Sequence, residues 1–300
     1  MLGLGASHLT LMTSANYSNP ALNHRVVAIS SLNGQLAKAH LEKAEADATM
    51  GALLALTFQS AYMADGMVEF LTMIRGCVLV SSHGGFKLEE SAFKPLAKEV
   101  FVDAVRKLVD AGGASSHLHV AFADEFVSSL ERLRTICTTA AELRYLESMS
   151  NIATWAVTDP VESELTTTKM VLVGCLHALG FCEHSFIYHQ VGEMNNEEFM
   201  SLVDPNNYPS QLVLLHLFVL DFVMSRKTVD QASDSLASES HCRTGFDGRR
   251  STTVIWIERI MERLPEEYHP YAEGAIAFVR YLTSFSLAKD GTWKPLLPPG

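Results

Sequence analysis

The sequence predicts an all-α protein, a multi-helix domain of orthogonal or stacked helices, about ten of them, with no significant sheet. Three observations point there. Val and Ile recur at spacings of three and four residues, not in alternation. Gly and Pro fall between the apolar segments and not at hairpin positions. No fixed period repeats along the chain, which argues against a solenoid but is compatible with a superhelix of stacked helices.

Size and composition bound the rest. The chain has 300 residues, 48% of them hydrophobic and 19% charged, the balance of a globular protein. A chain of that size buries roughly 75% of its unfolded surface, and we read residues 1–300 as one domain. Its formal net charge is −11 and its longest cationic run is Arg249-Arg250, so direct DNA binding by this chain is not expected. No basic segment of the secretory type opens the chain; LGLGASHLTLM reads like the middle of a helix, as if continued from a longer protein. The longest apolar runs, Met170 to Phe181 and Leu212 to Met224, fall short of the ~20 residues of a bilayer span. They predict buried core helices, and no membrane span is expected. Cys77, Cys137, Cys175, Cys182 and Cys242 are odd in number and scattered, which suits reduced thiols in cytosol or nucleus.

The elements follow in order. Asn19-Pro20 is a cap followed by a residue suited to a first helical turn. From it a stripe of Leu22, Val26, Ile29, Leu32, Leu36 and Ala39 predicts a helix buried along that face. Met50 to Met63 is apolar nearly all round, as a central helix is. Asp65-Gly66 marks a turn, after which Met67, Phe70, Leu71, Ile74, Val78 and Leu79 start a third stripe ending at Gly84-Gly85. Leu96 to Val109 predicts a helix closed by Gly112-Gly113. Phe122 to Leu143 predicts a long one that continues, with a bend or break, to Trp155. After Asp159-Pro160 come the run MVLVGCLHALGF, a helix over 183–203, the turn DPNNYP and the second buried helix, Leu212 to Met224. Residues 225–248 are polar and weakly periodic, and read as a surface connector. Arg250 to Leu264 and Glu266 to Leu287 form a last helix pair, and KPLLPPG is an extended tail.

Chemistry-bearing residues are few. Cys175-x-His177 and Cys182-x-His184 look metal-like, but residues two apart on a helix lie about 200° apart round its axis and cannot share an ion. That spacing also matches no common zinc pattern, so no metal site is expected. His184, Tyr188 and His189 lack a nucleophile motif or paired carboxylate beside them, and no catalytic residue or cofactor is assigned. His216 and Asp221 sit in an apolar helix, too far round it to pair, and must find partners elsewhere in the core. Gly174 and Gly274 interrupt helical patterns at a cost of about 1 kcal/mol each against alanine, a feature of close helix packing or of ligand approach. Met50, Met63, Met67 and Met73 suit a core, or the wall of an apolar pocket.

Two strings carry a resemblance. One is His24, Arg25, Ala28, Ile29, Leu32, Asn33 and Leu36; the other is Leu54 to Tyr62 with Asp65, Gly66, Glu69 to Met73, Arg75, Gly76, Cys77, Leu79 and Val80. Together they resemble the regulatory domain of fungal zinc-cluster transcription factors, most of all the sterol uptake control proteins. The likeness is clearest over residues 1–83. Beyond them it extends only to helical pattern and length. The six-cysteine zinc cluster of that family has no counterpart in this sequence.

That resemblance implies an α-helical regulatory domain in the nucleus, or the cytoplasm. It would hold a sterol or other apolar ligand between its C-terminal helices and form a homodimer or pair with a partner transcription factor. The family's link to biosynthetic gene clusters makes control of secondary metabolism an equal expectation. Combined with the two interrupting glycines, it nominates Gly174, His177, Phe181, Tyr271, Gly274 and Phe278 as ligand-binding residues. The alternative is an enzyme without a motif, a lipid or polyketide cyclase using the same helical pocket, since holding an apolar substrate needs few charged groups. A plain scaffold or interaction protein is the third reading.

Overall fold

A computed structural model describes residues 1–12, 16–38, 40–82, 86–97, 99–100, 102–103, 120–157, 187–235, 252–277, 285–287 and 293–295. Helices account for nearly all of them, so the architecture is all-α as the spacing pattern requires. α1 (Leu2–Met12), α2 (Ser18–Leu36), α3 (Lys43–Ser60) and α4 (Met67–Ser82) come first, followed by single 3₁₀ turns at Leu88–Glu90 and Lys94–Leu96. α5 (Val120–Arg134) and α6 (Ala140–Val157) form a pair. α7 (His189–Glu193), α8 (Asn196–Val203) and α9 (Tyr208–Ser235) follow, then α10 (252–263), a 3₁₀ segment at Glu266–Tyr271 and α11 (273–277).

α9 is the centre. Every residue from Ser210 to Met224 is buried, and the helix packs against α5, α6 and α10 in one continuous apolar cluster. Phe218 touches Trp256 at 5.2 Å between ring centroids, and Trp256 touches Phe70 of α4 at 5.5 Å. Leu71 and Ala61 belong to the same cluster, so the third and fourth helices reach the core through their shared turn. That turn needs Gly66: a Cβ there would overlap the Ser60 carbonyl oxygen, a group that cannot swing away. Trp256 Nε1–H donates to Met63 O at 2.9 Å, and Arg259 donates to Ala64 O at 2.8 Å, fastening the turn to α10. Gly192 is the other close approach, since a Cβ on it would overlap Val78 of α4.

Several expectations change in detail. The stripe on α2 is turned outward: Leu22, Val26 and Leu36 are 46%, 66% and 46% exposed, Ile29 is half-buried, and Leu32 alone of its described members is buried. The face that goes inward carries Ala21, Arg25 and Leu32. Helix α2 starts at Ser18 with Tyr17 as its cap position, two residues ahead of the expected cap at Asn19. Helix α3 starts at Lys43, well before Met50, on a capping box of Glu42 and Glu45. The long pattern from Phe122 breaks over 135–139, where Thr139 and Glu142 cap the new helix reciprocally.

The C-terminal half departs further. Residues 189–203 form two short helices with Asn195 capping the second through Glu198 N–H at 2.9 Å. The connector expected over 225–248 is helical as far as Ser235, the last residue of α9. The helix expected from Glu266 to Leu287 is replaced by a 3₁₀ segment holding Pro270, a short helix, and the strand Phe285–Leu287. That strand pairs antiparallel with Trp293–Pro295, Phe285 opposite Pro295. Pro270 lacks the N–H that an α-helix would need, which is why the helix does not run through it. Three-residue strands make a ribbon, not a sheet that could organise a fold. The segments read as helices at Leu96–Val109 and Met170–Phe181 lie largely or wholly outside the described residues, as does most of the final tail.

Among the described residues no single helix is long and apolar enough to cross a membrane. α8 and the start of α9 bend by 80° where they meet.

Candidate functional site

Of the six residues nominated for ligand binding, Tyr271 and Gly274 are described; Gly174, His177, Phe181 and Phe278 lie outside the described residues. So do Cys175, Cys182 and His184. Tyr271 closes the 3₁₀ segment and Gly274 sits one turn on, both against α5. A Cβ on Gly274 would meet Ser129 at 3.5 Å and Arg132 at 3.6 Å, ordinary packing distances. On that side the glycine therefore faces protein, and an alanine would fit.

Beneath it lies a buried polar pair. Ser129 of α5 and His216 of α9 are both 0% exposed. Their Oγ and Nε2 atoms are 2.9 Å apart, and His216 Nδ1 lies 2.8 Å from Leu212 O. A carbonyl only accepts, so Nδ1 carries the proton, and Nε2 accepts from the serine hydroxyl. Burial lowers the imidazole pKa to about 4, leaving it neutral. The serine oxygen also sits 3.5 Å from Tyr271 O, so α5, α9 and the 3₁₀ segment meet at one point. A serine–histidine contact resembles a nucleophile with its base. With both groups sealed from solvent, its chemistry is that of a satisfied core pair.

A second internal polar group acts likewise. Glu142 is 2% exposed, and its carboxylate accepts from Ser210 Oγ at 2.7 Å and from the Thr138 and Thr139 amides at 3.0 Å. Burial works against its charge, but those donors outweigh burial and hold its pKa below the usual carboxylate range. Cys137 nearby is pushed up to about 12 and Cys77 to about 11, each chiefly by burial, so both are poor nucleophiles. Among the described residues no group of three or more His, Cys, Asp or Glu gathers to hold a metal.

The residues that carry the family resemblance do meet. Arg25, buried to 3% exposure, donates to Glu69 Oε2 at 2.6 Å and Ser60 Oγ at 2.8 Å. At 3.4 Å it also reaches Leu56 O and Gln59 Oε1, and Gln59 in turn donates to Ala21 O at 3.2 Å. This node joins α2, α3 and α4. Farther along α4, Arg75 donates to Met194 O at 3.1 Å and Asn196 Oδ1 at 3.2 Å, and lies 4.7 Å over the Phe199 ring. One arginine thus fixes the first helices to each other, and the next fixes them to α8.

Among the described residues, concave apolar surface lies beside α2 and α3, away from the nominated ligand-binding residues and not lined by Met50, Met63, Met67 or Met73. Two open troughs of about 290 and 390 Å³ run beside α2 and α3 and share Ala28 and Ala52 as walls. The first is closed by Leu2 and Leu4 of α1, the second by Ala44 and Ala48. Both sit at the lower end of ligand-pocket volumes, roughly 300 Å³ and up, and both are open to solvent. The recurrence of alanine at 44, 48, 52 and 55 was the signal in the sequence, since small side chains leave space between helices.

Compared with protein-family models, with curated proteins and with solved structures, the chain matches none.

Proposed function

We propose that the chain is a regulatory domain of the type found in fungal zinc-cluster transcription factors, responsive to a sterol or another apolar ligand. The supporting observation is the Arg25 node. Arg25, Leu56, Gln59, Ser60 and Glu69 all stand in the strings that carry the resemblance, and they converge on one buried ion pair. A likeness scattered by chance over three helices would have no reason to select mutual partners. In this reading the first four helices are the coupling frame, and ligand occupancy shifts the frame between two states through its different affinity for each. The protein acts in the nucleus as a co-regulator of sterol or biosynthetic genes. Its acidic net charge leaves DNA contact to a partner.

Two measurements test this. Native mass spectrometry of the gently purified protein, with solvent extraction, should release a stoichiometric apolar molecule. Deleting the gene should change transcripts of a defined gene set. Unchanged transcripts together with an accumulated metabolic intermediate would overturn the regulatory reading in favour of an enzyme.

A further inference from the structure

We draw no further inference here: the strongest candidate, the pair of open apolar troughs that share Ala28 and Ala52 between α2 and α3, carries nothing, because nothing in the structure shows what covers them.

Discussion

Around α9 the chain buries its apolar side chains in one continuous cluster, with Leu212, Leu215 and Phe218 sealed from solvent. The first four helices are put together differently. Their own apolar groups are two small sets, Leu32 with Leu53 and Leu56, and Ala46 with Met50 and Phe86. What holds α2 in place is a buried arginine together with the small cluster around Leu32, while Leu22, Val26 and Val27 face out. The two regions thus differ in how much of their apolar surface they bury: one seals it in a continuous core, and the other leaves part of it exposed. Local opening free energies should differ accordingly, lowest where apolar burial is least.

The comparison can be broken most directly at α9. Phe218→Ala removes a ring that is 1% exposed and packed on Trp256. It should cost about 3–5 kcal/mol, read as a lower urea midpoint for the whole protein. Next is acid. His216 has a folded pKa near 4 against 6.5 when unfolded. Between those values the unfolded chain binds a proton that the folded chain refuses, so stability is full above 6.5 and declines as pH falls toward 4. The decline should approach roughly 3 kcal/mol. His216→Asn should be less stable at neutrality and should lose this slope.

A smaller effect is expected at the other pole. Arg25→Ala removes a donor from Gln59 Oε1 and Ser60 Oγ, but Ser60 keeps its bond to Leu56 O, and Glu69 is half-exposed with its charge solvated. A cost of about 2 kcal/mol follows. Hydrogen exchange should accelerate through α1–α4 while the amides of α9 keep their protection. Acceleration spread evenly over both regions would show that they open as one unit. The smallest effect belongs to Gly274→Ala, which fits its packing distances and should stabilise the protein by up to about 1 kcal/mol. A loss of ligand affinity in that variant, with its melting temperature raised, would place a ligand at the glycine.

Helix content, the turn at Asp65-Gly66, the turn before Tyr208 and the buried run Leu212–Met224 were all legible, because each is a local pattern of spacing or turn chemistry. The orientation of α2 was not. Periodicity reports that a helix has an apolar row, and says nothing of whether a neighbour covers it. Arg25 counts as a surface residue in such a reading, yet pairing with Glu69 and Ser60 made it the inward anchor. Likewise His216 was legible as a residue in need of a partner, but Ser129 is 87 residues away and no spacing rule could name it. The break over 135–139 escaped because Ile136 and Cys137 continue the apolar rhythm across it. The troughs beside α3 were hidden for a related reason: alanine reads as a helix former, and the space it leaves exists only once another helix lies alongside.

Trp256 has a practical consequence. Among the described tryptophan side chains it is the buried one, at 4% exposure, and its indole N–H is held by the Met63 carbonyl between the two regions. Indole emission moves to longer wavelength when water replaces a protein environment. The molecule therefore carries an intrinsic optical gauge at its internal junction. A shift in that emission without loss of helical ellipticity would mark α3–α4 parting from α10 before either region melts.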